Sequence, residues 1–232
     1  LYLTQPKGQY MSSTITMVCL ADSRKIGGHC IAGKIVEGEN KGKWVRPIGN
    51  RKECALTDRD ISYQNGEMPK LLDIITIQLK GFVPKNHHQE NCIIDDTIYW
   101  KKEGELKASQ LKGFCDGVSA LWIDGHHSRY GLNDKIPTTI VYGSIHSSLL
   151  LIQTQSVSYS VGMEYSKKKV RAKFTFNKNN YIIAVTDKRV EKLYLGEKAD
   201  TYRPDNSHPF FCVSLAEDFS GYCYKLIAGI IQ

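Results

Sequence analysis

The chain has 232 residues, 41% of them hydrophobic and 24% charged, a balance that suits a folded globular protein and excludes a low-complexity or disordered one. Its net charge of +7 at pH 7 permits a polyanionic partner without requiring one. The longest apolar runs, such as residues 149–152, are far too short to span a bilayer, so no membrane partner is expected.

The first ten residues, LYLTQPKGQY, lack a charged segment followed by an apolar core, so they do not read as a signal peptide. Met11 looks like a natural start, and residues 1–11 are expected to be a tag or extension. TITMVCLA (14–21), HCIAGKIVE (29–37) and GKWVRPIG (42–49) then read as three strands. Thr57 is placed to cap a short helical turn, TDRDISY. LLDIITIQLKGF (71–82) and CIIDDTIYW (92–100) supply a fourth and a fifth strand. A connecting segment over 105–148 holds a short helix at 108–114 and the polar loop HHSRYGLNDKIP.

The second half repeats this order. In LLLIQTQSVSYSV (149–161) the apolar phase passes from even positions (Leu150, Ile152) to odd ones (Val157, Tyr159, Val161), which predicts a bulge or sharp bend. KKVRAKFTF and YIIAVT (181–186) read as a hairpin, and Asp187 caps a helix with Val190, Leu193 and Tyr194 on one face. PFFCVSLA (209–216) and YCYKLIAGII (222–231) complete the set. Three strands, a helix and two strands, the first strand bent, is the order of a five-stranded OB barrel, although other small barrels give a similar list. The expected fold is therefore mainly β, with two tandem OB-like barrels at 12–104 and 149–232.

Certain stretches carry a resemblance beyond order: SRKIGGHCIAGK, KWVRPIG, PKLLDIITIQL, YGLNDKIP, VRAKFTFN and CVSLAEDFSGYCYKLIAGII. Together they resemble a bacterial family described as dual OB-fold domain proteins, over nearly the whole chain after Met11. The resemblance implies a tandem OB architecture and a role in nucleic-acid biology linked to phage defence or mobile elements. It brings no catalytic residues with it.

Four places hold residues suited to chemistry. In KKKVRAKFTFNK, Val170, Ala172, Phe174 and Phe176 alternate with Lys169, Arg171 and Lys173, so the cations line the outer face of the second barrel's second strand. Such a face either tracks phosphates or is simply solvated. Trp44 and Arg46 lie two apart on one strand face, as a stacking platform beside a phosphate contact, or as a ring packed in the barrel with the guanidinium over its rim. Arg24 and Lys25 precede Gly27 and Gly28 in a basic turn, suited to an anion or merely to positive φ. Asp124, His126 and His127 fall in the polar connecting loop, where they suit a metal-assisted nuclease or nucleotide-processing enzyme, or only satisfy the loop's own backbone.

The seven cysteines are irregularly spaced without a CxxC, so reduced thiols in a cytoplasmic setting are expected, with no zinc site and no cofactor. The leading expectation is a nucleic-acid-binding protein that takes single-stranded DNA or RNA. The alternatives are the nuclease and an adaptor with a protein partner in a defence complex.

Overall fold

The computed structural model describes residues 13–51, 53–205 and 208–232, so the expected extension at 1–11 lies outside the described residues. In chain order the elements are β1 (Ser13–Lys25), β2 (Gly28–Ile35), β3 (Trp44–Ile48), α1 (Asp58–Ile61), β4 (Asp73–Phe82), β5 (Asn91–Ile94) and β6 (Lys101–Glu105). A 3-10 helix (Ala108–Phe114), β7 (Lys135–Pro137) and α2 (Thr138–Ser144) follow. Then come β8 (Leu149–Gln153), β9 (Gln155–Glu164), β10 (Lys167–Phe176), β11 (Asn179–Val185), α3 (Lys188–Leu195), β12 (Thr201–Tyr202), β13 (Phe210–Phe219) and β14 (Tyr222–Ile231).

β1, β2, β3, β5 and β4 form a ring closed by antiparallel pairing of β4 with β1. β3 and β5 are the parallel pair, and α1 lies between β3 and β4. Thr57 caps α1 through a capping box with Asp60, as its position predicted. The second barrel repeats this path: β9, β10 and β11 are antiparallel neighbours, β11 runs parallel to β14, and β13 joins β14 to β8. β8 and β9 are the two arms of the bent first strand. Between them Thr154 turns off both sheets, its amide and hydroxyl donating to the Pro209 carbonyl at 3.0 and 2.8 Å. Leu150 and Ile152 before the bend, and Val157 and Tyr159 after it, enter the same core, so the phase change keeps one face inward.

α3 starts where Asp187 accepts from the amides of Arg189 and Val190. Val190 and Tyr194 pack on the second barrel, but Leu193 is 63% exposed, which corrects its expected place on the packed face. The first barrel's fifth strand is also shorter than expected. β5 ends at Ile94, Asp95 caps a turn by accepting from Thr97, and the chain resumes as β6 on β4.

A third core lies between the barrels. Met17 and Cys19 point into the first barrel, while Val18 and Leu20 point the other way, against Leu149, Leu151, Cys212 and Ala228 of the second. Leu106 and Leu111 of the connecting segment complete this layer. Backbones approach closely here: a Cβ added at Gly229 of β14 stands 2.1 Å from the Leu20 carbonyl oxygen of β1. Gly229→Ala must therefore push the barrels apart. Overpacking of this kind costs about 1–3 kcal/mol, and urea denaturation of the variant is expected to show at least that loss in a single transition.

Candidate nucleic-acid interface

In an OB barrel the outer face of the second and third strands, with the loops joining strands one to two and four to five, forms the ordinary oligonucleotide surface. In the first barrel that face is covered. Trp44 and Arg46 do share the outward side of β3, but that side meets the second barrel. Trp44 donates through Nε1 to Asp116 at 3.1 Å and packs in the layer between the barrels. Asp116 also accepts from Lys34 at 2.6 Å and from the Leu151 amide at 2.7 Å, so one carboxylate ties β2 and β3 to β8.

Arg46 is 3% exposed. It ion-pairs with Glu90 at 3.2 Å and donates to His88 Nδ1, to Ser148 Oγ at 2.7 Å and to Ser214 Oγ at 3.3 Å. Ser148 in turn donates to Glu90. Because Nδ1 of His88 accepts, its ring proton sits on Nε2 and the ring is neutral. Burial, with the positive charge of Arg46 next, pushes the His88 pKa down to about 2. Burial also holds His87 below the usual histidine range; its Nε2 donates to the Leu215 and Ala216 carbonyls of β13.

In the second barrel the alternation on β10 is as expected. Val170, Ala172, Phe174 and Phe176 are core, and Lys169, Arg171 and Lys173 face out. Arg171 is not free, however. Glu164 holds it at 2.6 and 3.0 Å and Asp134 at 3.2 Å. Lys169 is half-buried and Lys173 exposed, neither paired among the described residues. The loop carrying Asp124, His126 and His127 lies over the neighbouring strand, where Leu132 bridges Ile182 and Asn133 donates to the Asn180 carbonyl. Asp124 accepts from Tyr181 at 2.7 Å and from the buried Lys225 at 3.0 Å, and His127 Nδ1 accepts the Asn133 amide at 2.9 Å. Asp124 and His127 are thus engaged in holding the fold. Among the described residues no group of three or more His, Cys, Asp or Glu could hold a metal ion.

The two loop mouths remain open. At the second barrel, Tyr165 at the β9–β10 turn is 75% exposed and Phe219 at the β13–β14 turn is 70% exposed. Tyr165 stands edge-on to Tyr130, with ring centroids 5.4 Å apart, and Phe219 lies 6.3 Å from Tyr224. Burial raises the Tyr224 phenol pKa; Asp134, Tyr165 and Tyr222 add to the rise and Arg171 opposes it. Lys135 sits 3.6 Å over the Tyr222 ring and Arg129 5.4 Å over Tyr130. Tyr165 holds φ +47°, a left-handed backbone unusual for a bulky residue. The sequence pattern does not single out Tyr165 and Phe219, each of which stands alone beside a hairpin turn. The only available signal was a tyrosine in a hairpin turn, where Asn or Gly is usual.

At the first barrel, the β1–β2 turn with Arg24 and Lys25 and the β4–β5 connection with Lys85 and His88 open onto a cavity of about 540 Å³, walled on its far side by the second barrel. The two glycines of that turn, Gly27 at φ +88° and Gly28 at φ +151°, have the positive φ expected of them.

A closed OB barrel and a second sheet that follows the same OB path, fused through a common layer, define a tandem OB protein. A family model described as the dual OB-containing domain matches residues 15–230, and the chain belongs to that family. No curated protein and no solved structure matches it significantly. All seven cysteines are unpaired, and among the described residues no helix is long and apolar enough to cross a membrane.

Two outcomes test the buried network. Removing one partner of a buried ion pair costs about 3–5 kcal/mol, because the other charge is stranded; Arg46→Ala is expected to lose that much in urea denaturation. The lowered His88 pKa also makes the unfolded chain bind more protons below pH ~6.5. Stability should therefore fall as pH drops from ~7 toward ~5. His29, whose pKa is raised chiefly by its hydrogen bond to Asp22, acts in the opposite sense. His88→Gln keeps an acceptor for Arg46 and does not titrate, so its stability should fall less steeply over that range.

Proposed function

We propose that the protein binds single-stranded nucleic acid across the loop mouth of its second barrel. The observation that carries this reading is the placement of exposed aromatics on both loops that OB barrels use for oligonucleotides, Tyr165 on one and Phe219 on the other. Unstacked bases lie on such rings regardless of sequence, and a duplex does not offer them. Arg129 and Lys135 sit beside the rings, and Lys173 with Lys169 extends positive charge along β10 toward the phosphates.

The left-handed Tyr165 supports this reading as well. A bulky residue in that conformation costs about 1–2 kcal/mol, and Asn adopts it more readily. A tyrosine kept there serves something other than the turn. The division into barrels at 12–104 and 149–232, with residues 105–148 as connector, is part of the same proposal. So are the cytoplasmic setting, which rests on the cysteine pattern, and the link to bacterial defence or mobile elements, which rests on the family resemblance.

Fluorescence anisotropy with labelled single-stranded DNA, single-stranded RNA and duplex DNA over a salt series tests it. One of the single strands is expected to bind best, with affinity falling steeply from ~50 to ~200 mM salt. Tyr165→Asn should keep or raise stability yet weaken binding by about 1–3 kcal/mol, roughly 5- to 150-fold, and Phe219→Ala should weaken it comparably. Unchanged binding in both variants would sink the assignment of this surface. Flat signals for all three probes would favour the adaptor reading, in which the same aromatics meet a protein.

A further inference from the structure

The cavity between the barrels takes no part in the surface just described. We infer that it is a binding site for a nucleoside phosphate, either a free nucleotide or the phosphorylated end of a strand. Both sources share a charged phosphate and a flat heteroaromatic base, and the cavity has a distinct place for each.

Positive charge gathers at its walls. Arg24, Lys25, Arg46, Arg51 and Lys85 line it, against a single lining carboxylate, Glu217. Arg24 pairs with Glu191 and Arg51 with Asp60, but the pairing is lopsided. Each guanidinium side chain is 52% exposed, whereas the carboxylates are 8% and 4% exposed. The acids lie behind the wall and orient the cations, so the field at the opening stays positive. The Lys25 side chain has no ion-pair or hydrogen-bond partner among the described residues, and the Lys85 ammonium reaches only an exposed Glu217 at 3.7 Å. Planar guanidiniums beside flexible ammoniums suit phosphate recognition.

The interior is of another kind. Ile48, Val83 and Ile93 of the first barrel face Ala216 and Leu226 of the second. A base fits between such aliphatic walls, and 540 Å³ falls within the range of small-molecule sites. The wall residues Asn91, Arg46 and His88 each keep one buried polar atom without a protein partner: Oδ1, Nε and Nε2 respectively. One acceptor and two donors are thus left unmet beside a largely apolar chamber, and small side-chain shifts would offer them to a base edge. Both barrels contribute, so the ligand would bridge them.

Two half-buried cysteines, Cys30 and Cys54, also line the cavity, while the third half-buried one, Cys115, does not. They give a readout independent of activity. The full-length protein is titrated calorimetrically with adenosine and guanosine mono- and triphosphates, inorganic phosphate, and a dinucleotide with or without a 5′-phosphate. Alkylation of each cysteine is followed in parallel. At least one nucleotide or the 5′-phosphorylated dinucleotide is expected to bind in the micromolar range and to slow alkylation of Cys30 and Cys54 but not of Cys115. Binding by the phosphorylated dinucleotide alone assigns the site to strand ends; binding by mononucleotides assigns it to free nucleotides. Lys25→Ala with Lys85→Ala, two changes at the cavity's solvent edge, should weaken binding about tenfold, while Lys173→Ala leaves it unchanged. The inference is overturned if no probe binds, if inorganic phosphate binds as tightly as every nucleotide, or if the double variant binds like the wild type. Because Tyr165→Asn leaves this cavity intact, its behaviour with oligonucleotides reports separately on the other surface.

Discussion

One buried guanidinium organises the molecule. Arg46 is almost wholly withdrawn from water, and that loss is offset because Glu90, His88, Ser148 and Ser214 together meet it with one charge and three acceptors. The partners come from both barrels: Glu90 and His88 precede β5, Ser148 precedes β8, and Ser214 lies in β13. The network forms in full only at one relative placement of the barrels. Hydrophobic contact between β1 and the second barrel would tolerate sliding; a buried charge with fixed hydrogen-bond directions does not. Asp116 repeats the device on the other side with Lys34, Trp44 and Leu151.

This docking redistributes function over the fold. The strand face that a lone OB barrel offers to a ligand is used in the first barrel to hold the second, and in the second barrel it is partly roofed by the loop that includes Leu132 and Asp134. What stays accessible is the pair of loop mouths, and they differ in character. The second barrel's mouth is aromatic and open; the first barrel's is cationic at its edge, aliphatic inside, and closed behind. In the binding modes proposed above, the one meets bases and the other a phosphate with a single base.

The barrels were legible in the sequence because each strand has one face inside a barrel, and period-two alternation records that directly. The bend at Thr154 and the cap at Asp187 could be read for the same reason: both depend on near neighbours in the chain. The function of an outward residue could not. Arg171 stands on the outward face of its strand and Arg46 on the outward side of β3, yet Arg46 is sealed beneath another barrel and Arg171 is clamped by two carboxylates, and neither circumstance leaves a trace in its own strand. A weaker signal did exist. The runs VCLA at 18–21 and IAGII at 227–231 are apolar at successive positions, as befits strands buried on both faces, and these are the strands that meet.

The layer between the barrels also has a consequence in time. The first barrel has all its strands once β5 has been made, but the outer side of its β1, with Val18 and Leu20, is covered in large part by the connecting segment and the strands of the second barrel. Of these, β14 is the last in chain order, and it brings both Ala228 and the close approach of Gly229. A chain growing from its N-terminus therefore carries a finished barrel with a bare apolar flank through the synthesis of more than half its length. Such a flank is a place for aggregation or for a chaperone. The strand that completes the second barrel is the same one that ends the exposure of the first.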